Sequence, residues 1–456
     1  MASIIAVPCS YSLHDESGTK VHRREAEIRL EDNTFMILPK FGEAITLSYA
    51  DVAEIHAGDY RIAMKLSSKE ELIVFDLGYK FEDILSALFR QRNEIILKYL
   101  LRNESITTSQ IWGDLEVLGL VGNKTEFENC EIRLYETSLV LLPRTGDPMR
   151  LHFASIKEIE AKDYVISIET DRGEKFVIQR LGSAFESIAR DLSDAINALT
   201  TKTQSLIREL APSAEPSSLT ALSRLMKDGR AARIHQIKSI SPIVWSQFEK
   251  SLEKTSIWKE YQYLQSLSRQ EQMCVGLKRG LMGDLTGNYL WLLIPLYGTN
   301  NTYGNAIALE ATKLPFAKST EAKSTNGELI EDNAAAETGG NATYFFRVVG
   351  RNEYSALASN VKELDAKVDS LVSRINEMMV DVNFRREPIL LSDEKLTTEP
   401  RYAGYRYAVQ KISSLNDLRK LFIGRVIHSS FDQWKSDVIQ LLEFNMGTDS
   451  DGRWQK

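Results

Sequence analysis

An α+β chain is what this sequence predicts: two tandem β modules, each closed by a helix, then a helix-rich part with a small antiparallel sheet. Three observations carry that expectation. Residues 27 to 84 return, without an insertion, at residues 131 to 188. Within each copy the hydrophobic period changes from that of strands to that of a helix. Beyond the second copy, residues 211 to 218 are Pro, Ser and Ala with one charge, the composition of an exposed linker.

The repeat is read first because a fixed spacing means one supersecondary unit duplicated in tandem. Glu27-Ile28-Arg29-Leu30 returns as Glu131-Ile132-Arg133-Leu134, Asp59-Tyr60 as Asp163-Tyr164, and Leu77-Gly78 as Leu181-Gly182. The apolar start, Ser3 to Cys9, has no basic leader and is too short for a secretory core, so it reads as a first strand or a packed terminus. Strands are expected at 27–30, 34–38, 44–49, 52–57, 60–66 and 72–77. They are β-branched or apolar and are separated by Asp32-Asn33, Gly42, Gly58-Asp59 and Ser67 to Glu71, the pattern of an antiparallel meander. The repeated Asp-Tyr reads as a turn Asp followed by a half-buried strand Tyr. From Lys80 the apolar positions Phe81, Ile84, Leu85 and Leu88 sit at helical spacing, as do Phe185, Ile188, Leu192 and Ile196. A curled sheet leaves an open end, and one amphipathic helix covers it.

Strands followed by a closing helix, with Ile28-x-Leu30, Phe35-x-Ile37, the step Asp51 to Ile55 and Leu-Gly-x-x-Phe-Glu before the helix, resemble the pleckstrin-homology-like (PH-like) superfold. The pattern is most similar to its GRAM-like and bacterial PH-like members. The resemblance implies two tandem PH-like barrel- or sandwich-type domains, over residues 1–103 and 104–210, and no assigned activity, since fold does not carry function. As a whole the chain looks like a bacterial or archaeal type. Members that bind inositol phosphates use clustered cations from the first strand loop, but here that loop is Glu31-Asp32-Asn33 and, in copy two, Tyr135-Glu136-Thr137. Lys20, His22, Arg23 and Arg24 form a basic cluster just ahead of the strand at Glu27. It is either a lipid-headgroup site or a solvated strand edge.

The third part spans residues 219–446. Leu219, Leu222, Leu225 and Met226 line a short helix ended by Gly229, and Ser241-Pro242 opens another with Trp245, Phe248 and Leu252 inward. The segment 274–287 is glycine-rich and contains Lys278 and Arg279. It lacks the Walker spacing and runs into the apolar stretch Tyr289 to Ile294, so it reads as a β-hairpin rather than a phosphate loop. Further strands are expected at 305–310 and 343–349, and the polar stretch between them, about 318–341, as a mobile insertion. Over 359–383, Val361, Leu364, Val368, Leu371, Ile375, Met378 and Val382 form a seam. It suits either a short homodimeric coiled coil or a helix laid on its own domain. Arg385, Arg386, Arg401 and Arg406 interleave with Tyr402, Tyr405 and Tyr407, which suits stacking on single-stranded nucleic acid. The alternative is a helix with the rings inward and Arg406 and Lys411 solvated. Two more helices follow, one stopping near Gly424 and one capped at Ser429 or Ser430, and 447–456 is a frayed tail.

Composition narrows the function. A net charge of −7 argues against a chain built to coat nucleic acid or anionic lipid and favours a basic partner. Cys9, Cys130 and Cys274 form no CxxC pair, and the six histidines lie at no metal-ligand spacing, so no disulfide framework, metal or cofactor site is expected and the compartment is the cytoplasm. There is no GxSxG, HExxH or dinucleotide fingerprint, so no catalytic residue is assigned. The leading expectation is a non-enzymatic scaffold that binds protein partners through the tandem modules. The alternatives are peripheral membrane contact through the first module and nucleic-acid binding through residues 385–411. Candidate binding residues are Arg23, Arg24, Lys278, Arg279, Arg385, Arg386, Arg401 and Arg406.

Overall fold

Eleven apolar and polar residues in alternation make the first strand, β1 (Ile5–Asp15). It pairs with β2 (Gly18–Leu30), and the chain continues through β3 (Thr34–Pro39), β4 (Ile45–Ser48), β5 (Val52–Gly58), β6 (Arg61–Leu66) and β7 (Glu71–Phe75) into helix α1 (Phe81–Leu100). The sheet is antiparallel, with strand order β4-β3-β2-β1-β7-β6-β5. In this computed structural model residues 5–15, 18–100, 104–119, 122–281, 284–297, 304–314, 342–358, 360–382, 384–447 and 452–454 are described. The expected insertion 318–341, the turn of the glycine-rich hairpin and most of the tail lie outside them.

The second copy repeats every element: β8 (Ile106–Leu118), β9 (Lys124–Tyr135), β10 (Ser138–Leu142), β11 (Met149–His152), β12 (Ile156–Lys162), β13 (Val165–Thr170), β14 (Lys175–Gln179) and α2 (Phe185–Leu210). Its order is β11-β10-β9-β8-β14-β13-β12, the same topology. Side-chain alternation puts Ile28, Phe35, Ile37, Ile62, Met64, Leu72 and Val74 inside the first sheet, closed by Ile84, Leu85 and Leu88 of α1.

The duplication reaches the backbone. Asp59, Tyr60, Lys69, Asp76 and Gly78 have positive φ, and so do their counterparts Asp163, Tyr164, Gly173, Arg180 and Gly182. This corrects the expectation for the tyrosines. With φ of 56° and 62°, Tyr60 and Tyr164 are the second residues of two-residue hairpin turns rather than strand residues. Their rings leave the sheet, 77% and 68% exposed, and lie on Phe81 and Phe185 at 5.6 and 5.3 Å between centroids.

The basic cluster is also relocated. Arg23 and Arg24 stand inside β2, not ahead of the first strand. Pairing of β2 with β3 begins only at Ala26, so this part of β2 pairs with β1 alone.

After α2 the chain forms α3 (Pro216–Leu225), the short β15 (Ala232–Arg233), α4 (Ile234–Ile240), α5 (Pro242–Leu252) and α6 (Trp258–Ser266). Strands β16 (Cys274–Leu281), β17 (Asp284–Leu296), β18 (Ala306–Lys313) and β19 (Ala342–Arg347) follow. Then come α7 (Arg351–Leu357), α8 (Val361–Asp381), α9 (Glu387–Leu390), α10 (Asp393–Thr398), α11 (Ala403–Lys411), α12 (Ser413–Leu421), β20 (Phe422–Ile427) and α13 (Phe431–Gly447). The sheet is an antiparallel meander, β15-β16-β17-β18-β19-β20. The expected strands and hairpin are all present. β20 was hidden because its six residues sit between two helices and Gly424 looks like a helix stop.

The 211–218 linker is shorter than its composition suggests. Pro216 starts α3 as an N1 proline, and Ala211 is fully buried. The glycine of β16 has a packing role: at Gly276 a Cβ would collide with the Trp291 indole, whose Nε1 donates to Gly229 O at 2.7 Å. The seam on α8 is covered within its own unit, with Leu364, Val368, Leu371, Ile375 and Met378 at most 3% exposed, so it offers no face for a homodimer.

The chain divides into two compact units, Met1–Ser193 with Ser392–Lys411, and Asp194–Leu391 with Ile412–Lys456. Helices α10 and α11 thus leave the C-terminal region to join the unit of the two repeats.

Candidate functional site

The repeated Glu-x-Arg of β9 faces away from its own core. Cys130, Ile132 and Leu134 are buried, so Asn129, Glu131 and Arg133 form the opposite face, and Trp112 of β8 is paired with Glu131. Helix α1 has two faces as well. The apolar one closes the first sheet, while Asp83, Ser86, Arg90 and Asn93, in steps of three and four, line the other. These two faces, with Pro143-Arg144 after β10, wall a cleft of about 630 Å³ between the copies.

Its base is an ion-pair cluster. Arg133 donates to both Glu94 oxygens, at 2.6 and 3.1 Å, and to both Glu131 oxygens at 2.8 Å. Burial opposes the Arg133 charge, but the hydrogen bonds and charges of Glu131 and Glu94 outweigh it, and its pKa rises further above the ordinary arginine range. Lys80 pairs with Asp83 at 3.1 Å, and Arg144 Nε donates to Ser86 Oγ at 3.0 Å. Among the described residues Arg90 makes no hydrogen bond or ion pair, and Arg144 has no carboxylate partner. Trp112 is 54% exposed.

A second cluster lies behind α1. Arg92, fully buried, donates to Val52 O at 2.9 Å, Ala53 O at 2.6 Å and Asp147 at 2.5 Å. Asn93 donates to Gly146 O at 2.7 Å, and Leu97 packs with Tyr135, Val140 and Leu142. Helix α11 completes the cluster. Tyr407 donates to Val52 O at 2.8 Å, Arg406 pairs with Asp51 at 2.9 Å, and Lys411 pairs with Asp147 at 2.6 Å. Burial works against the Asp147 charge, yet Arg92 and Lys411 hold its carboxyl below the usual range.

A separate buried polar network sits on the third sheet. His428 Nε2 lies 2.9 Å from a Glu310 oxygen, the Thr343 hydroxyl donates to that oxygen at 2.6 Å, and Trp434 Nε1 donates to the hydroxyl at 3.1 Å. Among the described residues no group of three or more His, Cys, Asp or Glu is placed to hold a metal ion.

The sequence candidates do not gather at one place. Arg23, Arg24, Arg401 and Arg406 belong to the first unit, and Lys278, Arg279, Arg385 and Arg386 to the second. Most are committed internally. Arg23 pairs with Asp76 and lies over Phe75; Lys278 pairs with Asp228; Arg279 pairs with Glu209. Arg386 is buried over Tyr344, Arg401 pairs with Glu399, and Arg406 pairs with Asp51. Arg24 is exposed on β2 and Arg385 is half-buried. Arg406 and Lys411, expected to be solvated, are therefore corrected to ion-paired residues. Tyr402, Tyr405 and Tyr407 are at most 8% exposed, which withdraws them from base stacking. The cleft residues were missed because they lie on the polar face of α1 and the outer face of β9. One available signal was the unequal pair Lys40 and Arg144.

No protein-family model matches the chain, and no curated protein matches it. Among solved structures, the C-terminal domain of an unknown protein from Leishmania infantum aligns with 23% of this chain and 96% of its own, at 11% identity and a TM-score of 0.19. A chain of the Spt16D Pob3N heterodimer aligns with 37% of this chain and 84% of its own, at 12% identity and a TM-score of 0.16. At those scores the likeness carries no argument about function.

Proposed function

We propose that the chain is a non-enzymatic interaction protein, a scaffold in which two PH-like modules, packed as one unit, dock a protein partner in the cleft between them. The observation that carries this reading is the cleft itself. It is concave, formed jointly by both copies, braced from behind by Arg92, and lined by Trp112 and arginines, the residue types that anchor protein interfaces. Three well-separated buried thiols fit a cytoplasmic setting, and among the described residues no helix is long and apolar enough to cross a membrane. The test is affinity capture from native lysate on the full chain and on W112A, read by mass spectrometry. Partners retained by the first and lost by the second support the reading; identical capture, or none, removes it.

Membrane contact through the first module is a second reading, favoured by one observation. Tyr60 and Tyr79 are 77% and 91% exposed, and strand alternation puts both at one end of the sheet, after β5 and after β7. Co-sedimentation with phosphatidylserine vesicles that is salt-sensitive and lost in R23E/R24E would favour it. No sedimentation at low salt would dismiss it.

A further inference from the structure

We infer that the cleft takes an acidic segment of the partner protein, its carboxylates held by Arg90 and Arg144 and a neighbouring apolar side chain laid on Trp112. The inference rests on the interaction-protein reading and supplies the chemistry of the partner.

Charge complementarity points that way. The whole chain, at −7, favours a basic partner, but the balance of charge at the cleft is the reverse of that of the chain. The cleft has four cations, Lys80, Arg90, Arg133 and Arg144, against three carboxylates, Asp83, Glu94 and Glu131. All three carboxylates are already satisfied, Asp83 by Lys80 and the two glutamates by Arg133. The remaining cations are Arg90 from copy one and Arg144 from copy two. Both are exposed, and Arg144 uses only Nε on Ser86. A guanidinium prefers a planar acceptor that it can grip through two nitrogens, which a carboxylate provides.

The site also lies where the two copies differ. Arg144 takes the place of Lys40, which is tied to Glu25, and Trp112 takes the place of Pro8, since Trp112 pairs with Glu131 as Pro8 pairs with Glu27. Shared residues such as Arg29 and Arg133 keep the same contact with the glutamate two positions before them. Copy two therefore carries, where copy one has Pro8 and the Glu25-paired Lys40, an exposed ring and a guanidinium without a carboxylate partner.

A nucleic acid fits less well. Its phosphates recur at every residue and need an unbroken track of cations, whereas three carboxylates interrupt these walls. A bilayer presents a broad face that a cleft of about 630 Å³ between two modules does not admit.

The experiment uses the full chain and fluorescence polarisation. One pool of fluorescein-labelled peptides carries several Glu around a single Leu, Phe, Tyr or Pro; a matched pool carries Lys in place of Glu. Saturable, salt-sensitive binding of the acidic pool is expected, weakened at least about tenfold in R90E/R144E, with the thermal midpoint unchanged because both residues are exposed. W112A weakens it as well. Equal binding of the Lys pool, or unchanged affinity in R90E/R144E, overturns the inference. So does tighter, Arg90- and Arg144-dependent binding of single-stranded oligothymidine or of phosphatidylserine vesicles. Partners lost on W112A but still captured by R90E/R144E overturn the acidic-segment inference and leave the scaffold reading standing; capture of no partner removes both.

Discussion

Replacing Arg92 with Met keeps most of the buried stem and deletes the guanidinium, which isolates what the bracing cluster contributes. Two of the three lost bonds go to main-chain carbonyls, Val52 O and Ala53 O, inside the unit. Hydrogen bonds from a charged donor contribute roughly 1.5–3 kcal/mol each, and Val52 O keeps the Tyr407 hydroxyl, so the carbonyl share is about 2–4 kcal/mol. The third bond contributes less. The Asp147 side chain is 46% exposed and keeps Lys411, so its pair with Arg92 is close to a surface ion pair, at about 0–1 kcal/mol. The net expectation for R92M is about 3 kcal/mol, a drop of roughly 6–12 °C in the midpoint of the first unit. D147N should cost about 1 kcal/mol, with the double variant adding little beyond R92M. Trp112 is the one tryptophan of this unit, and total fluorescence would be dominated by the others. Hydrogen exchange of peptides from β5 and α1 against urea isolates the transition. A loss below about 1 kcal/mol for R92M, or equal losses for R92M and D147N, would refute the assignment of the energy to the two carbonyls.

Other expectations test different parts of the molecule. Burial lowers the pKa of His428, but the hydrogen bond and charge of Glu310, with the charge of Glu260, raise it overall against the opposing Arg386. A raised folded-state pKa gives stability that is fully present below the unfolded value of about 6.5 and lost as pH rises through the folded value, so the urea midpoint of the second unit should fall above about pH 6.5 and flatten in H428Q. The thiols of Cys9, Cys130 and Cys274 are pushed up by burial to about 11, 12 and 11, so a disulfide reagent at pH 8 should label them slowly in the native chain and rapidly in denaturant. At the positive φ of Tyr60, a Gly removes about 1 kcal/mol of backbone cost and loses a ring contact with Phe81 of similar size. Y60G should therefore be nearly neutral by calorimetry, while Y60V, β-branched and ringless, should cost about 2 kcal/mol.

What the sequence showed and what it hid follow from how each feature is encoded. The repeat was legible because strand alternation, the glycines at 78 and 182 and the helix stripes are local patterns, and two copies confirm each other residue by residue. The apolar runs of β17, β18 and β19 were legible for the same reason: a strand buried on both faces is mostly apolar, and its few buried polar residues, such as Glu310 and Thr343, are hydrogen-bonded. The Tyr60 turn was not, because a large ring at positive φ runs against turn chemistry and is tolerated here only beside Phe81. β20 was masked by its two helical neighbours and by a glycine whose role is close packing, with the Trp454 main chain a few ångströms away.

The cations were the hardest to read, and the reason is general. A sequence shows charges but not their partners, and a guanidinium is available to a ligand only in proportion to what the fold leaves unsatisfied. Arg406 sat in the most suggestive stretch of the chain, yet Asp51, distant in sequence, claims it. Arg90 sat in an unremarked helix face, yet no described residue claims it. Asp147 shows the principle from the acidic side. It draws in both Arg92 and Lys411, so the nearby Arg144 is left with a serine hydroxyl. Had Asp147 been placed to pair with Arg144 instead, the cleft would keep, among the described residues, only Arg90 as an unpaired cation, and Arg92 and Lys411 would share no carboxylate. The same carboxylate thus bridges to Arg92 of the first copy at modest energetic gain and, by being spent there, leaves the rim charge open to a partner.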